Sequence, residues 1–320
     1  MSEGSPTPFI LNRLDLKTLR LFAAICEEGT LNGAARRAAI APSAVSKRLA
    51  ELERALCCEL LIREPRGMRP TPAGETLLHH TRRMLGSAEQ IALELAEHAS
   101  GLRGFVRVLA NLSAIVQFLP EDLQAFLAAQ ARIGIDLEER PSGGVVAGVE
   151  EGAADLGICA GSTDPRSLVA HPYRSDRLVL VVPAGHPLAG RDAVAFADTL
   201  DHDHVGMHRE SSIYGTLRDE ARRLGRPLRL RVHVPSFDAI CRMAQAGMGL
   251  GVVPERVHAL LGPQMNVVAV PLTDPWARRT LSLVVRPGTQ SPAAAVLFDH
   301  LRRAGGDWEG RLRSPSENAG

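Results

Sequence analysis

Ser43, Lys47, Ala50 and Arg54 recur at three- and four-residue steps, so on a helix they share one face, with Ser46 and Arg48 on its flanks. Hydroxyls and cations on one helical face can reach base edges and phosphates in a DNA major groove. Pro42 opens that helix at its first turn. On the opposite side Val45, Leu49, Leu52 and Leu56 fall in a narrow arc, which predicts a buried seam. The competing reading of the polar face is plain solvation. Its neighbours favour DNA: the stretch Leu60 to Gly74 has Arg63, Arg66 and Arg69 about a Gly turn, the pattern of a β-hairpin wing whose cations touch flanking phosphates or a minor groove.

A second set of polar residues stands where predicted strands end. In open α/β folds ligands bind beyond the carboxyl ends of strands, where helix starts offer N–H groups. That rule selects Asn111 and Ser113, Ala160 and Gly161, then Met207, His208, Ser211 and Ser212 after Val205, and finally Ser236 and Phe237. Such a set suits a small carboxylate or polar metabolite, whereas Ser113 and Ser236 have helix capping as the competing role. The run Asp201-His202-Asp203-His204 with His208 has the residue types of a metal cluster, yet polar strand ends are the commoner explanation, so no metal is expected. Gly247-x-Gly249-x-Gly251 follows a helix and precedes a strand, the reverse of a dinucleotide loop, and reads as a helix stop and tight turn. With no G-x-S-x-G, P-loop or zinc-protease motif, neither an enzyme nor a cofactor is expected.

The elements that must position these residues change character along the chain. Up to about residue 100 the sequence is helical: Leu16, Leu19, Phe22, Ala23 and Ile25 make one amphipathic stripe between Asp15 and Gly29, and Ala34, Ala35 and Ala38 follow Thr30 in a short helix. From Ala73 to Ala99 a long helix carries two overlapping seams, Leu77, Thr81, Met84, Ala88, Ile91, Leu95 and Leu78, Thr81, Leu85, Ala88, Ala92, Leu95, a stripe that something must cover. A boundary near Gly101 to Gly104 precedes strands expected at Val106 to Ala110, Ile133 to Glu139, Asp155 to Cys159, Leu178 to Val182, Leu228 to Val234, Val267 to Val270 and Leu281 to Val285. Their alternation with helical segments predicts an α/β sheet with crossover helices. Residues 1–12 and 306–320, rich in Ser, Pro, Gly and charge, are expected to be disordered.

Composition narrows the class further. The chain has 320 residues, enough for two or more domains, and 45% hydrophobic residues, enough for real cores. Five scattered cysteines do not make a disulfide framework or a zinc site, which fits a reducing cytosol, and inert packing is the expectation for Cys57 and Cys58. No secretory signal pattern and no apolar run of ~18 residues is present, so a cytoplasmic protein without membrane association is expected. The formal net charge is only +1, but the segment from Thr30 to Thr71 holds eight basic against four acidic residues. That local excess can hold phosphates while the neutral remainder limits indiscriminate binding.

Ala34-Ala35, Pro42-Ser43-Ala44-Val45-Ser46, Leu52-Glu53, Leu60, Arg63 and Thr71-Pro72-Ala73-Gly74 together resemble the winged helix-turn-helix of LysR-type transcriptional regulators. Three residues depart from that pattern: Cys57 replaces a usual Gly, Leu61 a usual Phe, and Ala41 a common polar residue that would add a base contact. Leu119-Pro120, Asp155-Leu156-Gly157-Ile158, the run Val181 to Leu188 and the run Ala246 to Pro254 are similar to the same family's effector domain. The resemblance implies an α/β protein with an N-terminal winged helix-turn-helix and an effector domain of periplasmic-binding-protein type with two α/β lobes. The implied divisions are a DNA-binding domain at 13–72, a dimerising linker helix at 73–100 and an effector domain at 101–305. Within it, lobe I takes 101–177 and 283–305 and lobe II takes 178–282, with Leu178 to Val182 and Leu281 to Val285 as the crossover pair. It further implies double-stranded DNA, a small-molecule effector and RNA polymerase as partners, a homodimer or homotetramer, and an interrupted dyad-symmetric promoter site. The rival is a small-molecule-binding or catalytic α/β protein whose N-terminal helices only dimerise it; salt-dependent DNA affinity separates the two.

Overall fold

The computed structural model describes the backbone of residues 14–64, 67–100, 104–288 and 291–312, and the side chains of the same residues apart from 89–90, 92–100 and 307–312. The expectations for residues 1–12, for Arg66 and for the seam positions Ala92 and Leu95 lie outside what is described. The chain divides into two compact units, changing from one to the other at Ala96/Glu97.

In the first unit, α1 (Leu16–Glu28) begins at Asp15, whose carboxylate accepts from the Thr18 N–H, and ends on Gly29 in the left-handed region. The Thr30 hydroxyl caps α2 (Leu31–Ala38) by accepting from the Gly33 N–H at 3.0 Å. α3 (Pro42–Leu56) starts at Pro42 without a side-chain cap, because Ala41 has no acceptor to offer. Val45, Leu49 and Leu52 are buried against Phe22, Ile25, Ala34 and Ala35, with Leu56 packed on the same cluster. The Glu53 carboxylate accepts from the Leu60 N–H at 2.9 Å and so fixes the exit from α3. β1 (Leu61–Glu64) and β2 (Gly67–Pro70) then pair antiparallel, with Glu64 opposite Gly67, as the wing.

The Thr71 hydroxyl donates to the Glu59 carbonyl at 2.7 Å and accepts from the Gly74 N–H at 3.0 Å, which starts α4 (Pro72–Ser100). Gly74 is required there, since a Cβ would lie 2.0 Å from the Leu60 carbonyl oxygen. Leu78 and Thr81 are buried, and Leu85 joins the same core, whereas Met84 and Ile91 are exposed at 44% and 58%. The seam of Leu77, Thr81, Met84 and Ile91 therefore changes along its length, with Leu77 and Thr81 turned onto the domain's own core and Met84 and Ile91 turned to solvent.

In the second unit β3 (Gly104–Ala110), β4 (Ile133–Glu139) and β5 (Leu156–Ala160) are parallel neighbours. β6 (Val169–Pro183) and β11 (Arg278–Val285) complete that sheet in the order β4-β3-β5-β11-β6. Helices α5 (Leu112–Gln117), α6 (Leu119–Ala129) and α12 (Pro292–Leu312) form its core with Val106, Phe126, Tyr173, Leu283 and Leu297, and α7 (Ser142–Glu150) packs through Val145, Val146 and Val149 on a further apolar cluster. The second lobe is built on the far half of β6, with β9 (Leu250–Pro254), β7 (His204–Met207) and β8 (Leu230–Val234) in the order β6-β9-β7-β8, and β10 (Val267–Pro271) also paired to β6. Its helices are α8 (Phe196–Thr199), α9 (Ser212–Arg223), α10 (Phe237–Gln245) and α11 (Glu255–Leu261). Val169 to Arg177 of β6 pair with β11, and Leu178 to Pro183 pair with β9 and β10, so this strand belongs to both lobes.

Several expectations need correction. β6 begins at Val169 and not at Leu178, because its first half is polar and only partly buried yet hydrogen-bonded along its length to β11. β11 joins the first lobe's sheet from Arg278, ahead of the expected 283. β7 and β9, absent from the expected strands, are short, and each contains a glycine. α12 continues through Leu312, past the expected end of order at 305. Gly247, at φ 73, stops the helix as expected, with the Met248 N–H donating back to the Met243 carbonyl.

Candidate DNA-reading helix and effector cleft

On α3 the side chains of Ser43, Lys47, Ala50 and Arg54 are exposed, as is Pro42, and Ser46 is half-buried. The face keeps its polar groups outward because the opposite stripe is consumed by the core. Arg48 is different. Its guanidinium donates to the Thr18 hydroxyl at 3.0 Å and lies 3.8 Å from the Asp15 carboxylate, so it ties α3 to the start of α1 and is turned away from the reading face. Partial burial would raise the Asp15 carboxyl, but the Thr18 hydrogen bonds and Arg48 together hold it below the usual carboxylate range. On the wing Arg63 is exposed, Arg69 is exposed and donates to Glu64 at 3.0 Å, and Arg66 is outside the described residues.

Cys57 ends α3 in the left-handed region at φ 53, the conformation for which glycine is the usual choice. Contrary to the expectation of inert packing, Cys57 and Cys58 are both exposed, because a helix C-cap at the domain surface has no core to enter.

The strand-end residues of the second unit divide into those with an open polar group and those already engaged. The Asn111 carbonyl oxygen accepts from the Ala114 N–H at 2.9 Å to cap α5, and its amide donates to the Ser142 hydroxyl at 3.1 Å. Ala160 is buried with its N–H on that same Ser142 oxygen, whereas Gly161 is exposed. Met207 and Phe237 are core residues of the second lobe at 3% exposure each, so their side chains fill the lobe. His208, Ser211, Ser212 and Ser236 are half-buried, and neither Ser211 nor Ser236 caps its helix with its hydroxyl.

Ser113 leads to residues that sequence reasoning missed. Its hydroxyl accepts from Arg279 of β11 at 3.3 Å, and its carbonyl accepts from the Gln117 amide at 3.0 Å. Arg279 and Asp176 form a two-pronged pair across β11 and β6, with side chains 9% and 1% exposed, and Gln117 donates to the same carboxylate at 2.9 Å. Two buried atoms of this cluster, the Gln117 amide oxygen and the Arg279 Nη1, have no hydrogen-bond partner. Because Leu112 and Val116 of the same α5 pack against the core of the second lobe, this helix contacts both the crossover strands and the other lobe. The spacing of Ser113 and Gln117, one helical turn apart, was a usable signal; nothing local joins them to Asp176 or Arg279.

Among the described residues no group of three or more His, Cys, Asp or Glu side chains converges to hold a metal ion. His204 is buried between the Thr199 hydroxyl and the His202 carbonyl, each at 3.1 Å, and burial pushes its imidazole down to about 4, so it is neutral near pH 7. His202 packs edge-on against His186 with ring centroids 4.8 Å apart.

A winged helix-turn-helix joined to a two-lobed α/β unit defines a DNA-binding regulator with a ligand-receiving domain. The chain matches the family descriptions "Bacterial regulatory helix-turn-helix protein, lysR family" over residues 16–75 and "LysR substrate binding domain" over residues 99–306. It is similar to an HTH-type transcriptional regulator of Mycobacterium tuberculosis, 35% identical over 303 residues covering 89% of this chain and 96% of that protein. It also resembles the regulator YbhD of Escherichia coli, 25% identical and covering 89% and 90%. The chain belongs to the LysR family of transcriptional regulators, a family of regulators and not of enzymes. In fold it is similar to CbnR, with a TM-score of 0.65 at 22% identity over 91% of this chain and 99% of that one, and to full-length CbnR complexed with its target DNA, with a TM-score of 0.64 at 22% identity over 91% and 100%. Among the described residues no helix is long and apolar enough to cross a membrane.

Proposed function

We propose that this regulator is cytoplasmic and reads an interrupted dyad-symmetric promoter site as a homodimer or homotetramer, changing transcription through RNA polymerase when a small metabolite enters between the lobes. The proposed divisions are reading at 13–72, dimerisation by the linker helix at 73–100, and effector binding at 101–305. The outward polar face of α3 carries the reading: Pro42, Ser43, Ser46, Lys47 and Arg54 meet the major groove, and Arg63, Arg66 and Arg69 of the wing meet flanking phosphates. Exposed Met84 and Ile91 on α4 support pairing of two linker helices, which would carry two reading helices to successive grooves.

Ser113, Gly161, His208, Ser211, Ser212 and Ser236 are the effector contacts with polar atoms to offer, and Arg279 is added to them. Arg279 already shares its charge with Asp176, so a carboxylate effector draws its attraction from N–H and hydroxyl donors more than from a free cation. Binding alters transcription only in so far as the effector has different affinities for two lobe arrangements.

The test is promoter binding by the full chain across a salt series. Lys47→Ala and Arg63→Ala should each weaken binding and reduce the slope of log affinity against log salt by about one. Wild-type affinity and slope in both variants would return the helices to a purely dimerising role.

A further inference from the structure

We propose that Arg256 latches the two lobes in the arrangement of this structure, from outside the crossover strands. Arg256 stands in the first turn of α11 in the second lobe, with its guanidinium 4.9 Å from the ring centroid of Phe118 and 3.9 Å from the Glu121 carboxylate. Phe118 and Glu121 belong to the first lobe, at the junction of α5 and α6. The contact therefore crosses from one lobe to the other. It lies beside an apolar patch in which α11 packs on α5: Leu112 and Val116, one turn apart on α5, meet the second lobe's core, while Ala114 and Phe118 face the first lobe's. Apolar contact is non-directional, so such a patch resists separation of the lobes but lets one slide over the other. A cation seated over one particular ring resists the slide as well.

The two sides of this contact differ in firmness. Phe118 is 3% exposed, meets Tyr173 edge-on with centroids 6.4 Å apart, and has Arg174 5.7 Å from its ring centroid, itself bonded to Asp122 at 2.6 Å. Glu121 sits in the first turn of α6, where the helix dipole favours an acid. The first lobe thus presents a fixed seat. Arg256 opposes the dipole of its own helix, since α11 starts at Pro254 without a side-chain cap and a cation at its second position faces the partial positive charge there. Stability of α11 does not account for an arginine at that position; the contact with the first lobe does. The side chain is 41% accessible, so it can leave the seat without opening a core.

The strength of the contact suits a switch. A half-exposed cation over a ring, with an exposed ion pair near the distance limit, shifts an equilibrium about three- to tenfold. A ligand reverses an equilibrium only by its differential affinity for the two states, and a latch about a hundred-fold stronger would weaken the apparent affinity of every such ligand by the same factor. The latch concerns the lobes alone; its consequence for transcription rests on the proposed control of DNA by the lobes.

The experiment places one dye on each lobe of the full chain, at Arg132→Cys and Arg222→Cys, both exposed positions, together with Cys57→Ser and Cys58→Ser to remove the exposed thiols. Labelled chain is mixed with excess unlabelled chain, so that single-molecule energy transfer reports distances within one chain, and no ligand is added. The parent should show one dominant distance between the lobes. Arg256→Met keeps an apolar stem and removes the charge, and should raise the ratio of minor to major population about three- to tenfold. Arg256→Glu repels Glu121 yet suits the dipole of α11, so it should raise the ratio further without lowering the urea midpoint, which a merely structural role for Arg256 would not produce. Arg242→Met, which removes an exposed cation elsewhere on the second lobe, should change nothing. Promoter footprinting of the same variants keeps the two readings apart: altered distances with an unaltered footprint support the latch and remove lobe control of DNA. The latch is overturned if neither Arg256→Met nor Arg256→Glu changes the distance distribution, or if Arg242→Met shifts it as far as they do.

Discussion

The proposed reading helix and the proposed effector site use polar residues in opposite ways. On α3 the outward side chains Ser43, Lys47 and Arg54 are left to solvent, and their backbone is held by apolar contacts from the other side of the same helix. At the foot of the cleft Ser113, Gln117, Asp176 and Arg279 are buried and spend most of their capacity on one another. A surface that meets a large polyanion needs only position and charge, while a site that admits a small molecule must first be held in shape by hydrogen bonds in a low-dielectric setting.

That contrast is sharpest in stability. Asp176→Leu strands the Arg279 charge and should destabilise the second unit by about 3–5 kcal/mol in urea unfolding, whereas Lys47→Ala should cost less than about 0.5 kcal/mol. Equal costs for the two would mean that the cleft cluster is no more internally committed than the reading face.

Acidity gives the next largest effect. The folded-state value for His204 is pushed down to about 4 from 6.5, so the unfolded chain binds the extra proton first. Its contribution is fully present above pH 6.5 and is lost as the pH falls toward 4, in all about 3 kcal/mol. His204→Gln should flatten the urea midpoint against pH over that window; an unchanged slope would show that other groups dominate. The smallest effect separates two neighbours on α3. Arg48→Ala should leave the salt slope of promoter binding at its wild-type value and lower the stability of the first unit by about 1 kcal/mol, through loss of its contacts with Thr18 and Asp15. A reduced slope would place Arg48 back among the phosphate contacts.

The same contrast explains what the sequence revealed. The buried seam and exposed polar face of α3 were legible because one helix carries both within fifteen residues, and 3.6-residue periodicity separates them. Even there the tie of Arg48 to Asp15 and Thr18 was not legible, since those partners stand at the start of another helix. In the α/β unit most strands were found as apolar runs. The first half of β6, with Pro172 and polar residues, was not, because its pairing with β11 and not its own pattern makes it a strand. β9 was obscured by glycines, of which Gly251 is required where a Cβ would meet the Ile240 side chain at 2.3 Å. Arg279 is 166 residues from Ser113, and no local rule connects them.

The strand shared by both lobes also bears on how the chain is made. The first lobe's sheet takes β3, β4 and β5 early in the sequence but seats β11 between β5 and β6 only after the whole second lobe has been synthesised. On the ribosome, β5 must wait with one edge unpaired while well over a hundred further residues emerge, and β6 can begin pairing with its second-lobe neighbours before its own first half has a partner. Such late closure exposes a hydrophobic edge during translation and makes the nascent first lobe the stage most open to chaperone capture or misassembly.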